Sequence, residues 1–208
     1  MKASLSPQGE RVRERGAERT MRYLALGDSY TIGTGASDEF HSWPSIIASR
    51  LPAELTNPAV NGYTTLDLIR EELPYLERVH PDLVSILIGV NDLVQGRTAP
   101  QYRDSLRTIY DAISNTPGRR VVAVSIPTWS YVPAAADFGG QAKVDRLTQT
   151  FNAIAREEAN ERAFQWVDLS QASTSGIGTK GWIASDQLHP GDAQYAAWAE
   201  TIWPAMKA

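Results

Sequence analysis

The chain of 208 residues is 42% hydrophobic, has a formal net charge of −4 and contains no cysteine. At this length one domain buries roughly 70% of the surface its unfolded form exposes, so no disulfide is needed to hold it. Without cysteine there are no thiol nucleophiles or thiolate metal sites, and basic residues mixed among acidic ones leave no face for counterion release from nucleic acid.

Residues 1–20 form a separate block, in which Glu10, Glu14 and Glu18 are interleaved with Arg11, Arg13, Arg15 and Arg19. Almost nothing apolar is available there to offset ordering entropy, so a flexible N-terminal extension is expected, with the domain at 21–208 and Met21 a candidate native start. No apolar run reaches the ~20 residues that cross a bilayer, and no signal-peptide core is present. The expectation is a cytoplasmic protein without a membrane anchor.

From Met21 onward strand-like and helix-like runs alternate, the pattern of parallel βαβ units. Residues 22–26 predict a first strand, and 42–51 a helix with Pro44 in its first turn. A weaker strand at 55–60, interrupted by Pro58, suits a sheet edge. Residues 65–76 predict a second helix capped by Thr64 or Thr65. The nearly continuous apolar run at 82–88 predicts a central strand covered on both faces. A helix at 101–114 and a buried strand at 120–126 follow, and Pro127 ends that strand. The stretch 128–140, with Trp129, Tyr131, Pro133 and Phe138, predicts a long functional loop. The longest helix falls at 143–161, a short strand at 164–167 and a closing helix at 190–206. The expected fold is α/β: a three-layer, flavodoxin-like, doubly wound parallel sheet of about five strands in the order 2-1-3-4-5.

In that order the first three strands are neighbours about 4.8 Å apart, and ligands bind beyond their carboxyl ends. Ser29, Gly62 and Asn91 each follow one of those ends. A serine hydroxyl becomes a competent nucleophile only with a base in reach and donors for an oxyanion. His189, with Asp186 three residues before it, supplies an imidazole and a carboxylate, and the closing helix can anchor their loop. Asp28 and Asp92 suit structural roles around their turns, and Asn91 competes with a capping role at its strand-to-helix junction. His80 falls at the amino end of the sheet, and His41 suits a helix start. Asp168 and Asp192 are rival acids, at a strand end and inside the closing helix. The run Gly176-Ile177-Gly178-Thr179-Lys180-Gly181 fits the dinucleotide glycine spacing but neither follows a strand nor opens a helix, so it reads as a loop. Three scattered histidines give no zinc spacing.

Four blocks in order, Gly27-Asp28-Ser29-Tyr30, Asn61-Gly62, Gly89-Val90-Asn91-Asp92 and Asp186-Gln187-Leu188-His189, resemble those of the GDSL or SGNH hydrolase family across nearly everything after Met21. Tyr30 stands where the family's name has leucine. The resemblance implies that Ser29 attacks an ester carbonyl, that His189 is the base and Asp186 its partner, and that the N–H groups of Ser29 and Gly62 with the Asn91 amide hold the oxyanion. It implies a cofactor-independent, metal-free serine esterase acting on small-molecule, short-acyl esters. A thioesterase, lysophospholipase, carbohydrate deacetylase, acyltransferase or silent binding module on the same scaffold stays open. Tyr30 and Tyr63, beside the serine and glycine blocks, join Trp129 and Tyr131 as candidate substrate contacts.

Overall fold

The protein is described by a computed structural model for residues 20–115 and 118–207. The expectation for the N-terminal block therefore lies, apart from Thr20, outside the described residues. Five parallel strands, β1 (Met21–Gly27), β2 (Ala53–Thr56), β3 (Leu83–Leu87), β4 (Arg120–Val124) and β5 (Gln165–Val167), form one sheet in the order β2-β1-β3-β4-β5. Every residue of β3 is buried, which is why its sequence lacks the alternation of a half-exposed strand. Leu24 pairs with Thr56 on one side and Val84 on the other, and Gly27 faces Leu87, so β1 and β3 end level with each other.

Helices cover both faces. On one, α2 (Trp43–Arg50) packs against the closing helix α9 (Asp192–Lys207). On the other lie α6 (Ala99–Ser114) and α7 (Gln141–Glu161), with the chain from α3 (Thr65–Asp67) to α4 (Tyr75–Val79) beside them. Three short helices complete the set: α1 (Ser29–Ile32), α5 (Val90–Val94) and α8 (Ser170–Thr174). Local sequence explains the boundaries. Ser42 caps α2 with Pro44 in its first turn, and Thr98 with Gln101 forms a reciprocal capping box at α6.

Three predictions differ, one being the loop 128–140, which carries a 3₁₀ helix at Pro133–Phe138. The second strand lies at 53–56 rather than 55–60, because Pro58 has no N–H for the ladder; the Asn57 side chain organises the turn there instead, accepting from Ala59 N at 3.3 Å. The predicted helix at 65–76 is three pieces. Thr64 and Asp67 form a capping box on α3, a π-helical turn comes next at Leu68–Glu72, and the chain passes Pro74 into α4.

Candidate active site

Ser29 opens α1 immediately after β1 and Asp28. The Asp28 carboxylate accepts from Tyr30 N at 3.0 Å and so caps this single turn. The approach needs glycine at 27: a Cβ there would lie 2.2 Å from Thr31 Oγ1 and 2.3 Å from Leu87 O. Behind the serine, Tyr30 is buried, its carbonyl accepts from Trp43 Nε1 at 3.0 Å, and its ring stands edge-on to His189 at 6.0 Å. The tyrosine in place of leucine thus supports the imidazole.

The glycine and asparagine loops are tied to the serine turn and to each other. Asn57 Nδ2 donates to Thr31 O at 2.9 Å, and the Thr34 hydroxyl donates to Asn61. Gly62 is exposed, with φ 83° and open space where a Cβ would stand. Asn91 lies inside α5, whose N-cap is Gly89, so the capping role falls to the glycine. The Asn91 side chain instead donates from Nδ2 to Tyr63 O at 2.9 Å, leaving its second amide hydrogen for another acceptor. Beneath it the buried Asp92 accepts from Thr65 N at 2.8 Å and pairs with Arg97 Nε at 2.9 Å. Burial raises the Asp92 carboxyl above its ordinary value even against these partners.

His189 and Asp186 form a compact local unit. Asp186 Oδ1 accepts from Leu188 N and His189 N, each at 2.9 Å, while Oδ2 meets His189 Nδ1 at 2.6 Å. Partial burial pushes this carboxyl up, but the bonds from His189 and Leu188 outweigh it and hold it below the usual aspartate value. The loop is fastened to the serine turn from several sides. Tyr195 Oη donates to Thr34 O at 2.8 Å, Asp192 Oδ1 accepts from Ser37 N at 2.8 Å, and Gly35 packs so closely on Pro190 O that a Cβ would sit 2.5 Å away.

The serine, asparagine and histidine loops meet in one cavity of about 50 Å³ lined by Ser29, Tyr30, Val90, Asn91, Val94, Trp129, Phe138, Leu188 and His189, and Gly62 is absent from that lining. No direct hydrogen bond joins Ser29 and His189 among the described residues; such bonds commonly tighten only when substrate binds. Trp129 lines the cavity while its Nε1 donates to Thr148 at 3.2 Å, and Phe138 stands edge-on to it at 5.5 Å. Tyr131 lies behind this wall, where its hydroxyl donates to Ser173 O at 2.7 Å and accepts from Gln194 and Trp182. Tyr63 contributes its carbonyl to Asn91 and is absent from the cavity lining. Sequence reasoning passed over Val90, Val94 and Leu188. The first two were findable, being one helical turn apart and astride Asn91. A larger cleft of about 360 Å³ between Arg119, Arg162 and Phe164 holds neither histidine nor carboxylate. Among the described residues no group of three or more histidine or acidic side chains is arranged for a metal ion, and no helix is long and apolar enough to cross a membrane.

Comparison with known proteins agrees with this architecture. The sequence pattern of the GDSL-like lipase/acylhydrolase family matches residues 25–197. A lipase from Streptomyces rimosus is 26% identical over 187 residues, covering 71% of this chain and 69% of the lipase. Among solved structures, the acetylxylan esterase Axe2 from Geobacillus stearothermophilus superposes with a TM-score of 0.73 at 18% identity, over 90% of this chain and 94% of its own. A lipolytic protein of the G-D-S-L family from Veillonella parvula also gives 0.73, at 17% identity, over 90% of this chain and 98% of its own. At such identities the superpositions carry the fold. The matched family makes the protein an ester hydrolase. Specifically, the chain belongs to the GDSL-like lipase/acylhydrolase family.

Proposed function

We propose that the protein hydrolyses short-acyl carboxylic esters of small molecules through an acyl-enzyme on Ser29. The observation that carries this reading is the single small cavity on which Ser29, Asn91 and His189 all open, with the imidazole already held at Nδ1 by Asp186. Since Nδ1 is engaged, Nε2 takes the proton of Ser29 Oγ as that oxygen attacks the ester carbonyl. Negative charge on the carbonyl oxygen is met by the N–H groups of Ser29 and Gly62 and by the free amide hydrogen of Asn91. Collapse expels the alcohol, which takes the proton from His189. Water then repeats the sequence and releases the acid.

The apolar side chains of Val94, Phe138 and Leu188 suit an acyl chain, and a cavity of about 50 Å³ favours a short one. The acetyl ester named for the Axe2 neighbour is of that size. Purified protein incubated with acetyl, butyryl and octanoyl esters, thioesters and acetylated sugars is expected to prefer acetyl or butyryl esters, with an organophosphonate labelling Ser29. Silence across the panel together with no label on Ser29 would refute the reading.

A further inference from the structure

A second, smaller cavity lies against the catalytic one. It measures about 10 Å³, the scale of a single water molecule, and Pro127, Val132, Pro190 and Trp198 contribute apolar surface to its lining. Two polar side chains at its edge are engaged with each other: Gln194 Nε2 donates to Tyr131 Oη at 2.7 Å and to Ser173 O at 2.8 Å. Tyr30, Trp129 and Leu188 line both cavities and so form the wall between them.

These three residues are held in different ways. Tyr30 is buried, with its ring edge-on to His189 at 6.0 Å and to Trp198 at 5.6 Å. Trp129 is also buried, and its Nε1 donates to Thr148 at 3.2 Å. Leu188 is only half-buried, and its bonds are made by the backbone alone. Leu188 N donates to Asp186 Oδ1 at 2.9 Å. The preceding residue, Gln187, has φ 63°, a left-handed conformation that few residues other than glycine adopt. Its carbonyl accepts from Ala134 N at 3.3 Å, which fastens the histidine loop to the 3₁₀ helix at Pro133–Phe138. The Leu188 side chain is therefore set into the wall by main-chain contacts on either side of it. Shortening that side chain removes none of the bonds that orient Asp186 and His189.

We propose that Leu188 is a specificity-determining residue for acyl length. Its side chain closes the catalytic cavity at the point where an acyl chain would run on into the second cavity, towards Val132 and Trp198. The proposal rests on acylation at Ser29, and it names what ends the acyl site. Alanine at 188 lacks three carbons of the leucine side chain, so Leu188→Ala opens the wall and vacates room for about three chain carbons. Each methylene moved from water into apolar surroundings favours the longer substrate by about fourfold, and three of them by about sixtyfold when burial is complete.

The test measures kcat/KM for acetyl, butyryl and octanoyl esters of one alcohol in the full chain, in Leu188→Ala, in Val132→Ala and in the double variant. Leu188→Ala is expected to raise the octanoyl-to-butyryl ratio by about tenfold to sixtyfold. Val132 lines the second cavity and is absent from the catalytic lining. Val132→Ala alone is therefore expected to leave the ratio within about twofold, and to raise it about threefold or more once residue 188 is alanine. That non-additivity belongs to a partition between two spaces; a leucine that merely packs the loop gives independent effects. A ratio within about twofold of the native one in Leu188→Ala, or an equal shift by Val132→Ala with and without Leu188, overturns the proposal. Melting curves check that each variant folds, and Leu188→Val, one carbon shorter, serves with an expected shift of about fourfold if the alanine variant does not. A native protein that cleaves esters while the ratio stays unmoved loses only the assignment of Leu188. A native protein that cleaves no ester and takes no phosphonate on Ser29 loses the hydrolase reading and this proposal with it.

Discussion

Replacing Asp186 by asparagine tests the proposed base most directly, because the structure shows what the amide cannot do. The aspartate uses both oxygens: Oδ1 accepts from Leu188 N and His189 N, and Oδ2 meets His189 Nδ1. Asparagine has one oxygen, so its NH2 group must face either the two backbone donors or the imidazole. In the proposed mechanism the charge lost is that which stabilises the imidazolium formed when Ser29 gives up its proton. Two unit charges about 4 Å apart interact by about 4 kcal/mol at an effective dielectric of 20. The Asp186 side chain is 43% exposed, so solvent screening cuts this to about 2 kcal/mol. The misdirected hydrogen bond adds about 1–1.5 kcal/mol. At 1.36 kcal/mol per decade the sum predicts a loss in kcat of about 10²–10³-fold. That is less than the ~10⁴-fold typical of a buried triad aspartate, and the difference is solvent access. The assay is single-turnover acylation by a chromogenic butyryl ester alongside steady-state kcat. A drop under about threefold, with acylation rate-limiting, would remove Asp186 from the mechanism.

Asn91→Ala is expected to lower kcat by about 10²–10³-fold, or ~3–4 kcal/mol, with KM little changed; a variant as active as the native protein would return Asn91 to its structural bond with Tyr63. Gly27→Ala places a methyl 2.2 Å from Thr31 Oγ1 and 2.3 Å from backbone Leu87 O, and should cost about 3 kcal/mol in urea unfolding; stability within ~0.5 kcal/mol would show that the turn yields. Phe138→Ala opens the acyl cavity and is expected to raise the octanoyl-to-butyryl ratio of kcat/KM about tenfold; an unchanged ratio would place the acyl chain elsewhere. The buried Glu158 pairs with Arg103 at 2.8 Å, Arg107 at 3.1 Å and Arg162 at 3.0 Å, and although its burial pushes the carboxyl up, these partners hold it below its ordinary value. Its contribution is therefore present above the unfolded value near ~4.3 and is lost as pH falls through the lower native one. Glu158→Gln should cost about 1–3 kcal/mol at pH 7, with the gap to the native protein closing towards pH 3; a gap independent of pH would contradict the pairing.

The sheet was readable because a strand buried on both faces must be apolar almost throughout, and the run Leu83–Leu87 is so except for Ser85, whose hydroxyl is hydrogen-bonded with that of Tyr23 at 2.8 Å. Alternating strands and helices implied parallel strands, and the order β2-β1-β3-β4-β5 is that of the flavodoxin-like doubly wound fold. The path between β2 and β3 escaped reading. Glu71 and Glu72 are consecutive in a segment of helical spacing, where both suit a solvated face, and only the π turn carries Glu72 inward while Glu71 stays exposed with Arg70. A one-residue change in helical register leaves no compositional mark. Pro74, just beyond the turn, was the available sign that a regular helix could not run on to residue 76.

The candidate site divides the same way, by how far a contact reaches along the chain. Asp186 and His189 are three residues apart, and the bonds from Leu188 N and His189 N to Asp186 make their geometry a property of a single turn, so spacing alone conveyed it. Ser29 and His189 are brought to one cavity only by long-range fastenings: Tyr195 to Thr34, Asp192 to Ser37, and the close packing of Gly35 on Pro190. Those residues are individually ordinary, and each acts through shape or a single bond that no local pattern encodes. The division predicts which changes separate stability from chemistry. Tyr195→Phe removes the bond to Thr34 O yet leaves every group of the proposed mechanism in place, so it should slow acylation by loosening the serine turn against the histidine loop. An unaltered acylation rate would mean that packing alone holds the two loops in register.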